Sequence, residues 1–386
     1  MGKFPAPLAG TVTHCGVCGS WDLRPLLDMG TQPLAERHDD DTRYPLALLE
    51  CQACTLVQLS CIVDQREVFP LSHPYATGNT GALRSHFAGL AEELTPLLAA
   101  DDLVVDIGAN DGTFLSCFGP AGDGGSARIL GVEPTDQAKK AAGRGIPVWQ
   151  DYFGPEVGRR IREMYGPAKV VTACNVLAHT PDPHGFMTGV EHLLAPDGVF
   201  VTENHDLASV VDGLQIDTVY HEHLRYYSVT SLARLLGMHG LTITDVQKIP
   251  THGGSFRVLA RRPRRDLEAR AGEAAAGLRT LLAQAGAEGP VYGVGATTRA
   301  TPLICFAQIA QYLACVCEVS GSDKIGLGLP GTSIPVVDEA KLIADQPPYA
   351  LLLSWHIADS IIAALRAKGY RGKFIIPLPE AVIADG

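Results

Sequence analysis

"LVVDIGANDGTFLSCF", residues 103–118, runs from an apolar stretch through a glycine turn into a second apolar stretch. Leu103 to Ile107 is apolar except for Asp106, the pattern of a strand covered on both faces of a parallel sheet. Gly108 and Gly112 allow the chain to reverse, and "TFLSCF" reads as the opening of a helix. Downstream, the apolar run "ARILGVEP" (127–134) ends in an acid, Glu133. "AKVVTACNVLAHTPDP", "GVFVTENHD" and "LTITDVQKIP" continue the series, with "PHGFMTGVEHLLAP" an amphipathic helix between two of them. Alternating strands and helices predict an α/β fold with a doubly wound, mostly parallel sheet, which binds ligands at the carboxyl ends of its strands.

The glycine count selects the ligand. A dinucleotide fingerprint needs three glycines so that backbone amides reach a pyrophosphate. This turn has Gly108 and Gly112, preceded by Asp106, which suits S-adenosylmethionine, a cofactor without phosphate. Asp106 is expected near its cationic amino acid end, Gly108 lets the backbone approach, and Glu133, 27 residues beyond Asp106, accepts from the ribose hydroxyls. Asn110 and Asn175 are assigned to the same cofactor site. NAD(H) is the alternative, because an acid after the second strand serves either cofactor.

Upstream, "HCGVCGS" and "LECQACTLVQLS" each hold a CxxC knuckle, Cys15 with Cys18 and Cys51 with Cys54. Four soft thiolates close tetrahedrally on Zn²⁺ and leave no position for a substrate, so the predicted metal is structural. The alternative is two chance pairs of core cysteines. The 32 residues between the knuckles, 19 through 50, include "QPLAERHDDDTRYPLALL", read as a loop and a strand returning to the metal. The other six of the ten cysteines show no such spacing and are expected as small buried hydrophobes.

A third region, "GPVYGVGATTRATPLICFAQIAQYLACVCEVSGSDK" (289–324), repeats the order strand, glycine turn, helix, strand. It predicts a second α/β domain, joined through the basic "RRPRR" and an Ala-rich helix from about Asp266 to Ala287. Arg299 and Lys324 are candidates to hold a diphosphate at its Gly295 turn, or are ordinary surface cations.

Composition limits the partners. The 386 residues carry 31 basic and 42 acidic side chains, a net charge of −11, which argues against nucleic acid or anionic membrane surfaces. A hydrophobic content of 46% is globular, and no apolar run is long enough to span a bilayer. "MGKFPAPLAG" lacks the apolar core of a signal peptide, so the expected compartment is the cytoplasm.

"YHEHLRYYS", residues 220–228, crowds phenols, imidazoles and a carboxylate together. In an extended strand, Tyr220 and Glu222 would face one way and His221 and His223 the other; only a turn brings them to one pocket. A solvated polar strand and a His221/His223 metal pair are the other readings.

These blocks, with "DMGTQPLAERH", "HPYATGNT", "LLAPDGVFVTEN", "HGGSFR", "YGVGATTRAT" and "DKIGLGLPGTSIPV", span nearly the whole chain. It resembles the three-domain S-adenosylmethionine-dependent C-methyltransferases of deoxysugar biosynthesis. The resemblance implies a zinc-binding domain at 1–74, a class I (Rossmann-like) methyltransferase domain at 75–258 and a nucleotide-sugar-binding α/β domain at 259–386. It places the active site at Tyr75, His179, Tyr220, Glu222 and His223. One departure is His356, where the family commonly carries asparagine. The implied substrate is a nucleotide-linked 4-keto sugar, TDP being the expected nucleotide, methylated at C-3. In this reading His223 takes the C-3 proton, Tyr220 and His179 donate to the enolate, Glu222 orients an imidazole or binds substrate, and Tyr75 lines the methyl pocket. A nicotinamide-dependent reductase or epimerase of nucleotide sugars and a methyltransferase of other keto substrates are the alternatives.

Overall fold

The computed structural model describes residues 10–35, 41–118, 127–263 and 267–384. The segment read for a leader, the 36–40 part of the loop between knuckles, and the 264–265 arginines lie outside the described residues. The chain divides into two compact units, Met1–Pro263 and Arg264–Gly386. The zinc-binding and methyltransferase domains expected from the sequence both fall in the first.

The first unit is built on a seven-stranded sheet. Its order is Thr242–Ile249, Ser255–Arg261, Leu194–His205, Ala168–Cys174, Leu103–Ile107, Arg128–Val132, Val148–Trp149. The last five run parallel and the first two join antiparallel, as the strand series predicts. Leu103–Ile107 is buried along its whole length, which is why its run is unbroken apart from Asp106. The helix expected after the glycine turn is, among the described residues, only the 3₁₀ segment Leu115–Phe118. Helix Pro183–Leu193 starts where predicted, with the Asp182 carboxylate accepting from the Gly185 amide at 2.9 Å and Pro183 at the first turn. It crosses helix Pro155–Tyr165 so closely that a Cβ on Gly158 would lie 2.3 Å from the Gly189 carbonyl oxygen.

A smaller antiparallel sheet carries the knuckles, in the order Arg225–Tyr226, Val57–Leu59, Arg43–Cys51, Leu23–Pro33. Arg225 pairs with Gln58 and Tyr226 with Val57, so the second half of "YHEHLRYYS" completes the sheet of the cysteine module. The four-stranded sheet of the N-terminal module is therefore completed by a strand from the methyltransferase domain, and a two-stranded pair, Gly10–Thr11 with Cys61–Ile62, is its own.

The second unit holds a six-stranded sheet ordered Val336–Asp338, Leu313–Glu318, Val291–Val294, Tyr349–Leu352, Lys373–Ile376, Val382–Ala384, parallel except for the last strand. The predicted Ala-rich helix runs Leu267–Glu288.

Candidate active site

At the carboxyl end of the parallel strands lies a cavity of about 1220 Å³. Tyr75, Gly108, Asn110, Glu133, Asn175, His179, Tyr220, Glu222 and His223 all line it. It exceeds the usual single-ligand range of roughly 300–1,000 Å³, which leaves room for two ligands side by side.

The cofactor turn is held by its acid. The Glu133 carboxylate accepts from the Asn110 amide at 2.9 Å, from the Thr135 amide at 2.8 Å and from the Thr135 hydroxyl at 2.6 Å. Gly108 sits at φ +74°, and a Cβ there would lie 2.5 Å from Val176, so only glycine keeps the backbone at the cavity wall. Asn110, itself left-handed at φ 51°, ties down the Tyr75 segment: its side-chain Nδ2 donates to the Tyr75 carbonyl at 3.0 Å, and its Oδ1 accepts from the Thr77 amide at 2.8 Å.

Two predicted cofactor residues do not line the cavity. Asp106 is buried beneath the turn, where its carboxyl accepts from the Thr172 hydroxyl at 2.6 Å, and burial pushes its pKa up to about 7. Gly112 packs against Ala141 and Ile146, 3.0 and 3.1 Å from where its Cβ would stand. Arg299 and Lys324 belong to the second unit. Arg299 precedes helix Ala300–Ala307, and the Lys324 ammonium donates to the Ala296 carbonyl at 2.8 Å.

"YHEHLRYYS" makes the turn that one shared pocket requires, with the His223 amide donating to the Tyr220 carbonyl at 3.1 Å. Tyr220, Glu222 and His223 thereby reach the cavity, while His221 is buried against the Tyr44 ring. That separation argues against a His221/His223 metal pair, and among the described residues the one metal-capable cluster is the four cysteines.

Hydrogen bonds fix the protons. His223 Nδ1 lies 2.9 Å from the Thr218 carbonyl, which can only accept, so the proton is on Nδ1. Nε2 then accepts from the Tyr220 hydroxyl at 2.9 Å. His179 Nδ1 likewise donates to the Glu222 carbonyl at 2.9 Å, leaving Nε2 as an acceptor. Burial pushes His223 down to about 3, helped by His179, and pushes His179 down to about 4. Both imidazoles are neutral at ordinary pH.

The sequence did not single out His73, Tyr152, His205, His252 or Arg66, which line the same cavity. His73 stands 3.9 Å from the Glu222 carboxylate. His73 and His252 lie inside blocks quoted above, but nothing in their spacing marked them. A buried network below the floor was also missed: Glu203 meets the Arg257 guanidinium at 2.8 Å and His86 Nε2 at 2.8 Å, and its carbonyl accepts from the Asn175 amide at 2.9 Å.

The four cysteine sulfurs lie within 4.8 Å of one another, with Cys15–Cys54 at 3.6 Å and Cys18–Cys51 at 3.5 Å. A tetrahedron with Zn–S bonds of about 2.3 Å has sulfur–sulfur edges of about 3.8 Å, so the set fits zinc.

The fold, the glycine turn with its acid and the four-thiolate cluster define an S-adenosylmethionine-dependent methyltransferase carrying a structural zinc. A C-methyltransferase C-terminal domain matches residues 265–379, a methyltransferase domain residues 82–246, and a zinc binding domain residues 15–69. The C-methyltransferase NovU of Streptomyces niveus is 31% identical over 410 residues, covering 96% of each chain. The chain belongs to this C-methyltransferase family. Among solved structures, the magnesium protoporphyrin IX methyltransferase of Synechocystis PCC 6803 matches at 16% identity and TM-score 0.35, over 46% of this chain and 83% of that one. A methyltransferase of Anabaena variabilis ATCC 29413 matches at 16% identity and TM-score 0.39, over 50% and 88%. Likenesses this distant carry no argument about activity.

Proposed function

We propose that the protein transfers a methyl group to C-3 of a nucleotide-linked 4-keto deoxysugar, TDP being the expected nucleotide, through an enolate formed in this cavity. The observation that carries the reading is the neutral Tyr220–His223 pair opening on the same space as the Gly108–Glu133 turn. A sugar carbon becomes nucleophilic only when a neighbouring ketone acidifies its C–H, and a neutral imidazole whose acceptor nitrogen can be uncovered is the base for that step.

The 4-keto oxygen of the substrate draws the Tyr220 hydroxyl off His223 and uncovers Nε2. His223 Nε2 takes the C-3 proton, and the C–H electron pair becomes the enolate. Once protonated, Nε2 no longer accepts, so Tyr220 stays turned to the enolate oxygen and stabilises it. His179, whose Nε2 can only accept, holds a substrate hydroxyl; the donor role expected for it passes to Tyr220. Glu222 is kept beside His73 and holds His179 through its carbonyl. S-adenosylmethionine supplies an electrophilic methyl group, its ribose held at Glu133. Arg66 is the one Lys or Arg among the described lining residues and is assigned to the diphosphate.

Incubation with methyl-labelled S-adenosylmethionine and 4-keto TDP-deoxysugars tests the proposal. Label found at C-3 by NMR supports it. Label on oxygen or nitrogen, or turnover only of keto compounds lacking a nucleotide, contradicts it.

A further inference from the structure

Arg225 is 3% exposed, and a guanidinium cannot shed its charge at such a site. Its Nη1 donates to the Thr180 carbonyl and its Nη2 to the Pro181 carbonyl at 2.9 Å. Its Nε has no hydrogen-bond partner. Among the described residues, no carboxylate lies within ion-pair distance of it. The Asp182 carboxylate acts on it from beyond ion-pair distance and is committed to the Gly185 amide, so a buried cation whose hydrogen bonds go to neutral carbonyls, with one donor idle, needs a further anion.

The anion is at hand. The guanidinium turns its Nε–Nη2 edge to Gly16, between the ligands Cys15 and Cys18: a Cβ there would come 2.8 Å from Nη2 and 3.1 Å from Nε. Gln58, the cross-strand partner of Arg225, accepts from the Gly16 amide at 2.9 Å and donates to the His14 carbonyl at 3.0 Å, fixing the knuckle against the arginine. Tyr227 is fully buried, its hydroxyl is also without a partner, and the charges that reach it come from Arg225, Cys15 and Cys54. Two idle buried donors beside one cysteine cluster match a tetrathiolate whose formal charge with zinc is 2−, a charge that the Val17 and Cys18 amides on Cys15 Sγ soften without neutralising.

We propose that Arg225 is the counter-cation of the zinc–thiolate centre and, through the Thr180 and Pro181 carbonyls, the tie between that centre and the segment carrying His179. It is a positioning residue and touches neither substrate nor methyl donor. Arg225 is thereby assigned to the metal, as Tyr220, Glu222 and His223 are to the cavity.

The test follows zinc directly. Zinc-loaded wild type, Arg225→Met and Arg225→Lys are challenged with excess EDTA and zinc release is timed. Removing a group that supports the metal's ligands typically alters metal affinity by about 10–100-fold, so Arg225→Met is expected to release zinc at least about tenfold faster. Retention equal to wild type overturns the proposal. Arg225→Lys keeps the charge and is read alone if Arg225→Met does not fold. Release within about threefold of wild type supports the charge assignment, and release accelerated about tenfold or more overturns it.

Discussion

The two units hold the same clasp and differ in what surrounds it. In the first, Glu133 at the end of one strand accepts the Asn110 amide of the turn after its neighbour. In the second, Glu318 accepts the Ala296 amide at 2.7 Å and the Val319 amide at 3.1 Å, beside Gly295 at φ +91°. The two sheets share the order that places these turns at a strand switch. Around the first turn, five cavity-lining histidines, His73, His179, His205, His223 and His252, come from other segments. Around the second, Lys324 caps the turn carbonyl. A strand, a turn and an acid make a frame, and the chemistry comes from what the loops bring to it.

The metal should show the greatest difference between the two units. Cys51→Ser removes one of four thiolates, and because zinc binding supplies about 10 kcal/mol or more to folding of such sites, the cysteine module should lose its zinc and its structure. Cys315→Ser, at a buried cysteine of the second unit outside any such cluster, should leave stoichiometric zinc unchanged by elemental analysis.

Next in size is the base. His223→Asn should lower kcat by about 10²–10⁴-fold with KM little altered, the usual cost of removing a general base. A kcat within about threefold of wild type would move the base elsewhere.

The two acids should differ in cofactor binding. Glu133→Ala should weaken S-adenosylmethionine binding by about 1.5–3 kcal/mol in calorimetry, whereas Glu318→Ala should leave it unaltered. Equal losses would mean that the second turn takes part in holding the methyl donor.

The smallest effect is in pH. A base with an ordinary imidazole pKa near 6.5 would lose about tenfold in kcat/KM between pH 8 and pH 5.5 as it protonates. His223 and His179 are depressed to about 3 and about 4, so they stay deprotonated through that window, and the acid limb should fall below pH 5. A limb centred near 6.5 would show that the imidazoles are not desolvated in solution.

The frame was legible in the sequence because it is local. Apolar runs marked Leu103–Ile107 and Val291–Val294, knuckle spacing marked the cysteines, and a fixed separation marked Glu133. The faces of the side chains were not legible. Asp106 sits in the same run as its neighbours, yet the strand turns it toward Thr172 under the turn. Gly112 looked like a cofactor glycine and serves helix packing. Arg66, His205 and His252 reach the cavity from segments far apart in the chain, which only tertiary structure brings together. Arg225 read as one more charge in a polar run, because the charge it balances stands more than 170 residues upstream.

Proton exchange at C-3, without methyl transfer, isolates the step assigned to His223. Wild-type protein is given a 4-keto TDP-deoxysugar and S-adenosylhomocysteine in D₂O, and deuterium at C-3 is followed by NMR beside the His223→Asn variant. Wild type should incorporate deuterium, and the variant should do so at least about a hundredfold more slowly. Exchange in the variant as fast as in wild type, with methylation lost, would contradict that assignment and give the proton to Tyr220 or His179.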